Sequence, residues 1–387
     1  MKVIKRGIER ILAERLQEER PLIQVLVGPR QVGKTTAIRG ALAGRGVYRS
    51  ADSPVPLGAA VLEQWWQEAE AQSDRVLAVD EIQKVQGWAE TLKGLWDTRA
   101  GLKVVVSGSA ALLVERGLVE SLAGRFELIR AEHWGLDEVV AAFELPLEGY
   151  LEFGGYPGAM RFLPDVERWA AYVRDSIVEP VLGRDLLQLH PVENPALLRQ
   201  VFGMAAALPA QTISLQKMQG ELQGQRGSVT TLSSYLRLLG EAFLVSAVRR
   251  FNPHEHLVRA SIPKLVVHDN GLLRAFERPV TAAVPADRLG RYFENTVGAR
   301  FIEAGWETYY WKYRDLEVDY VVRGPAGEKW AVEVKTGAAT EGELRGLRAF
   351  CGQYRQFEPC LVRLRESRPV PGVRELSVAE VLSLHRG

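Results

Sequence analysis

The chain has 387 residues, more than one hydrophobic core usually supports, so two or three domains are expected. Its 47% hydrophobic and 25% charged residues are those of an ordinary globular protein, and 49 Lys and Arg against 48 Asp and Glu exclude a strongly basic overall field, leaving only local patches to attract nucleic acid. Two cysteines, Cys351 and Cys360, exclude a disulfide framework, and neither a signal-like apolar core near the start nor a bilayer-length apolar run occurs, so a cytoplasmic protein without a membrane partner is expected.

Residues 6–19 place Ile8, Ile11, Leu12 and Leu16 at helical spacing, which predicts an amphipathic helix ahead of the first strand. The apolar run from Leu22 to Val27 then ends at Gly28. Gly28, Gly33, Lys34 and Thr35 fit the G-x-x-x-x-G-K-[ST] pattern of a phosphate loop between a buried strand and a helix. A triphosphate needs converging backbone N–H groups, and glycines let the chain turn sharply enough to present them at a helix N-terminus. The expected nucleotide-binding set is therefore Gly28, Pro29, Arg30, Gln31, Val32, Gly33, Lys34, Thr35 and Thr36. Lys34 would reach the β- and γ-phosphates of ATP, Thr35 would help hold Mg²⁺, and Thr36 would pack or cap. The plain alternative is a glycine-rich turn that binds nothing.

GVYRSAD (46–52) reads as a second strand and 59–71, with Leu62, Trp65 and Trp66, as a helix. RVLAVDE (75–81) follows: four apolar residues and then two carboxylates describe a buried parallel strand that delivers acids at its C-terminal edge. There Asp80 would hold Mg²⁺ and Glu81 would orient and polarise the attacking water. The strand within 102–113 ends in Ser107-Gly108-Ser109, where Ser109 or Ser107 would sense the γ-phosphate, unless the serine is only a helix cap. Arg125, before another apolar strand, would complete the site of a neighbouring subunit in a homo-oligomer, or else form a surface ion pair.

GPRQVGKTT, LAVDEIQ, SGSAALL, LAGRF and, at 151–157, LEFGGYP together resemble the bacterial and archaeal AAA+-type ATPases that carry a C-terminal domain of unknown function, DUF4143. The similarity runs over nearly the whole chain. It implies an α/β protein with an AAA+-like P-loop NTPase core (1–150), a helical and winged-helix middle (151–287) and a C-terminal PD-(D/E)XK nuclease-like α/β domain (288–387). One departure is visible. Members usually show Pro-Leu-Ser-Phe-x-Glu after the arginine strand, whereas this chain has His133-Trp134-Gly135-Leu136-Asp137-Glu138, so an interface built by that stretch is expected to differ.

In the middle region, 165–189 carries a long helix pattern ending near Arg184-Asp185, a pair that resembles the family's and that a local ion pair explains equally well. Residues 214–223, the turn 224–228 and 229–245 read as helix, turn, helix and strand, the order of a winged helix. Arg226, Arg237, Arg249 and Arg250 would meet DNA phosphates there, although many winged helices serve as lids or protein contacts.

Near Arg288 the last domain begins, with a helix from Leu289 to Ala304 carrying Glu294. The extended segment 306–323 and the returning strand 329–337 put Glu317 with Asp319, and Glu333 with Lys335, on shared strand faces. That spacing suits a metal-dependent phosphodiesterase. Asp319 and Glu333 would ligate Mg²⁺, Lys335 would neutralise developing charge, and Glu294 would complete the shell. Alternating charges on an exposed strand face are the plain alternative. Three functions fit: an ATPase that remodels or translocates DNA, branched DNA included; an ATP-gated DNA endonuclease; and a nucleotide switch in a signalling or scaffold protein without DNA. The nuclease-like triad favours the first two.

Overall fold

The structure, a computed structural model, describes residues 4–19, 21–99, 101–108, 122–189, 192–222, 227–253, 262–277, 284 and 286–386. β1 (Ile23–Val27) is buried along its length, as an apolar run covered on both faces must be. It lies between β4 (Lys103–Gly108) and β5 (Phe126–Arg130), with Val25 beside Val106 and Leu128. β3 (Val76–Asp80) pairs with β4, and β2 (Val47–Ser50) closes the edge, giving the all-parallel order β2-β3-β4-β1-β5. A parallel sheet gathers the C-terminal ends of its strands on one edge, which is how the residues after β1, β3 and β4 come together.

The helices Ala60–Glu70 and Trp88–Thr98 bring Trp65, Trp66, Trp88 and Leu92 onto Leu77, Val79, Val104 and Val106 to make the core of this layer. The expected leading helix spans Gly7–Arg15. Just before it, the buried Arg6 side chain donates to the carbonyls of Val32 (2.9 Å) and Glu132 (3.1 Å) and so anchors the helix to the phosphate loop.

The chain divides into two compact units, 1–132 with 184–191, and 133–183 with 192–387. The expected middle and C-terminal regions share the second unit because one eight-stranded sheet runs through both, in the order β13-β12-β11-β10-β9-β7-β8-β6. Its members are β6 (Gln211–Thr212), β7 (Val245–Arg250), β8 (Lys264–Val267), β9 (Glu307–Tyr313), β10 (Leu316–Arg323), β11 (Lys329–Lys335), β12 (Glu358–Arg363) and β13 (Arg374–Leu376). β6, β8 and β7 form an antiparallel wing, β6 preceding and β7 and β8 following the helix pair Leu215–Glu221 and Val229–Glu241, whose N-termini are capped by Ser214 and Ser228. The junction is β7 on β9, where Arg249 and Arg250 lie beside Tyr309 and Tyr310. Phe251, at the end of β7, is packed edge-on by Phe350, Tyr354 and Phe357, so the wing and the last region share a core.

The long helix expected over 165–189 is present as an unbroken helical run over 166–189, α-helical at Val166–Tyr172, 179–180 and Leu186–Leu189, with widened π-type turns at Val173–Val178 and Val181–Asp185. Pro180 lies between the two widened stretches. It has no N–H for an i→i−4 bond and its ring crowds the preceding turn, which the wider winding accommodates. Among the described residues no helix is long and apolar enough to cross a membrane.

Candidate active site

The turn after β1 is shaped by two different demands. A side chain at Gly28 would place its Cβ 2.2 Å from the carbonyl oxygen of Ala131, so the position has no room for one. Gly33 sits at φ +94°, a conformation that glycine adopts without strain, and the helix Lys34–Leu42 starts immediately after it. Lys34 is buried, and its Nζ donates to the carbonyls of Gly28 (2.9 Å) and Pro29 (2.6 Å), arching over the loop. Burial pushes its pKa down to about 8 against the opposing pull of Glu81 and Asp80.

Asp80, at the end of β3, is where the strands converge. Its Oδ2 accepts from Thr35 Oγ1 at 2.6 Å and from Tyr48 Oη at 3.0 Å, while Ser107 Oγ donates to Oδ1. The carboxylate is 5% exposed. Glu81 follows in the left-handed region (φ 58°), and its Oε2 accepts from Gln83 Nε2 at 2.8 Å. Of the two competing serines, Ser107 is thus on Asp80, whereas Ser109 lies outside the described residues. Arg30, within the loop, makes a bidentate pair with Asp185, and Arg125 makes one with Asp97 at 2.7 and 2.9 Å on the surface.

Glu294, Asp319, Glu333 and Lys335 also gather, around a residue that the sequence did not single out. Lys264, 1% exposed on β8, donates to the backbone carbonyl of Asp319 at 3.0 Å and pairs with Glu294 Oε1. Asp319 Oδ2 accepts from Val334 N at 2.8 Å, and Glu333 Oε1 accepts from Lys335 Nζ at 2.9 Å. Glu333 Oε2 is buried without a hydrogen-bond partner among the described residues. Burial, reinforced by the charge of Asp319, pushes Glu333 up to about 8 and Glu294 up to about 7, so the cluster is short of positive charge. Glu317 instead pairs with Lys312 at 2.7 Å.

Of the arginines expected at DNA, Arg226 lies outside the described residues, Arg237 pairs with Glu241 at 2.6 Å, and Arg249 and Arg250 are exposed on β7. Tyr48 and Lys264 are the site residues that sequence reasoning missed, whereas Asp185, singled out there together with Arg184, pairs with Arg30. A tyrosine two residues before the end of a parallel strand was the one available signal, for Tyr48.

Comparisons with known proteins accord with this arrangement. Residues 20–140 match an AAA domain family model, 145–281 the domain of unknown function DUF8612, and 289–383 the domain of unknown function DUF4143. An uncharacterized protein of Haemophilus influenzae is 25% identical over 256 residues, 63% of this chain and 62% of its own length. One from Mycobacterium tuberculosis is 28% identical over 326 residues, 81% of this chain and 70% of its own length. Among solved structures, the fold is similar to a Walker-type ATPase of Pyrococcus abyssi (17% identity, TM-score 0.46, 71% of this chain and 96% of that one). A weaker likeness is to the Thermotoga maritima RuvB Holliday junction branch migration motor (16% identity, TM-score 0.34, 62% and 89%). With the phosphate loop, the acidic strand end and the matched domains in place, the chain carries an AAA-type P-loop domain and a C-terminal DUF4143 domain.

Proposed function

We propose that this ATPase uses ATP hydrolysis to remodel or move DNA, with the helix pair, wing and C-terminal sheet of the second unit as the DNA-engaging part. The observation that carries the hydrolytic half is the convergence on Asp80 of Thr35 from the loop and Ser107 from β4. In this reading the loop amides and Lys34 bind the terminal phosphates, Lys34 exchanging its present carbonyl partners for phosphate oxygens. Thr35 and Asp80 offer the hard oxygen donors that suit Mg²⁺, which neutralises charge on the phosphates when bound. Glu81 accepts a proton from water as the water oxygen bonds to the γ-phosphorus and the bond to the leaving ADP breaks. Arg125, paired with Asp97 here, would act only by exchanging that partner for a neighbouring copy's nucleotide.

The DNA half is supported by the helix, turn, helix, strand order and by the exposed Arg249 and Arg250 at its end. It is tested by measuring ATP turnover with duplex, single-stranded and four-way DNA, with Arg249→Glu/Arg250→Glu as the comparison. Stimulation by one DNA form that the double variant loses supports the reading, and turnover indifferent to all three removes it.

A second reading, an ATP-gated nuclease, is favoured by the unpartnered Glu333 Oε2. Asp319 and Glu333 fit a divalent cation, whereas Glu294 is already held by Lys264. Incubating labelled linear and four-way DNA with Mg²⁺ or Mn²⁺, with and without ATP, decides it: cutting that Asp319→Ala abolishes supports a nuclease, and intact DNA excludes one.

A further inference from the structure

The stretch that departs from the family pattern begins at His133, and this histidine enters a cluster that the ATPase reading does not use. His133, His268 and Glu303 lie on three separate segments of the second unit: the start of the departing stretch, the residue after β8, and the end of the helix Ala286–Glu303. All three are buried, at 2%, 6% and 7% exposure, and one ligand atom of each lies within 4.8 Å of the other two. Glu303 Oε1 is the common partner, bonded to His133 Nδ1 and, at 3.3 Å, to His268 Nδ1.

We propose that His133, His268 and Glu303 form a site for a transition-metal dication of the zinc type, bound through two imidazole nitrogens and one carboxylate oxygen. Two imidazoles and a carboxylate are a donor set that zinc takes, with a fourth position left for water.

Three further features fit a cation. The outer ring nitrogen of each histidine meets a hydroxyl, His133 Nε2 at Tyr156 Oη and His268 Nε2 at Ser246 Oγ, both at 2.8 Å. A hydroxyl can donate or accept, so both nitrogens stay satisfied when Nδ1 loses its proton to the metal and Nε2 carries one instead. Glu303 divides its oxygens: Oε2 faces Arg300 at 3.7 Å, leaving Oε1 turned toward the histidines. Finally, a cavity of about 10 Å³, lined in part by His268, Asp269, Arg300 and Glu303, adjoins the cluster, and that is the room one water molecule takes.

The site would pin the departing stretch to the strand end after β8 and to the long helix. The test uses the full chain, dialysed against EDTA and free of nucleotide, titrated with Co²⁺ and then with Zn²⁺. Wild type should show the intense visible bands of a four- or five-coordinate Co²⁺ site, saturating at one equivalent of band-forming Co²⁺, and Zn²⁺ should bleach them. His268→Ala and Glu303→Gln should lose the bands or weaken uptake at least tenfold, while Asp80→Asn and Asp319→Ala retain them. Absence of the bands in wild type overturns the proposal, as does their survival in His268→Ala or their loss in Asp319→Ala. Should His268→Ala fail to fold, imidazole nitrogen NMR shifts of wild type with and without Zn²⁺ decide, since metal bound at both Nδ1 atoms moves two histidines and an unaltered spectrum overturns the assignment.

Discussion

Arg30 of the phosphate loop holds Asp185 through two bonds, Nε to Oδ2 at 2.5 Å and Nη2 to Oδ1 at 2.6 Å, across 155 residues of sequence. Asp185 belongs to the 184–191 segment, which is part of the first unit although the chain on both sides of it belongs to the second. The pair therefore fixes a loop arginine to a stretch through which the chain enters and leaves the first unit. It also keeps a carboxylate within electrostatic range of Lys34.

Asp185→Asn removes that negative charge and frees the Arg30 guanidinium to meet phosphate. Both changes favour a polyanion. Nucleotide affinity should rise roughly two- to fivefold, the worth of one partly exposed charge pair. Titration with a fluorescent ATP analogue checks this. Weaker binding in the variant would show instead that the pair is needed to hold the loop in shape.

Glu81→Gln keeps the size and the contact with Gln83 but removes the proton acceptor. Phosphate release should fall by roughly a hundredfold or more, with ATP binding retained, the usual range for losing a positioned general base. Lys34→Ala should fail at the earlier step and lose binding as well. A Glu81→Gln protein that hydrolyses ATP at the wild-type rate would move the base to another residue.

The arrangement around Asp80 was largely legible in the sequence because its parts are local: a loop with fixed glycine spacing, an apolar strand ending in two acids, and another ending in serines. Parallel pairing alone then brings Thr35, Asp80 and Ser107 together. What escaped depended on partners far away in the chain. Lys264 looks like a strand residue next to a proline, and only the helix carrying Glu294 and the strand carrying Asp319 give it a role. The pairing of β7 with β9 across two expected domains escaped for the same reason, since alternation along one strand says nothing about its neighbour. The helix over 165–189 was legible from its apolar spacing, but its widened turns on either side of Pro180 were not, since that spacing does not show where the backbone loses its i→i−4 bonds.

Gly28→Ala tests the claim that the loop needs room rather than flexibility at its first glycine. The added Cβ would lie 2.2 Å from Ala131 O and 2.9 Å from Ala131 Cβ, so either the loop or the chain after β5 must move. A loss of roughly 1–3 kcal/mol in stability is expected, as for other overpacked sites, with nucleotide affinity falling alongside. Denaturant unfolding with and without ATP separates the two effects. Wild-type stability would mean that the close approach relaxes at no cost.

Lys264→Met asks whether the C-terminal cluster needs a cation. The ammonium is 1% exposed and sits between Glu294 and Asp319, whose side chains are 21% and 15% exposed. Methionine fills the space but leaves two largely buried carboxylates facing each other, beside a Glu333 that is already pushed up to about 8 by burial and by Asp319. Breaking a buried pair from one side costs about 3–5 kcal/mol, so the thermal midpoint should drop by roughly 6–20 °C for a unit of this size. Mn²⁺ can stand in for the lost charge, because the carboxylates that remain are hard oxygen donors. The midpoint of Lys264→Met should therefore rise with Mn²⁺ more than that of wild type does, and Asp319→Ala in the same background should cancel the rise. If Mn²⁺ moves neither protein, Lys264 is a permanent replacement for the metal and the cluster supports no metal-dependent cutting of DNA.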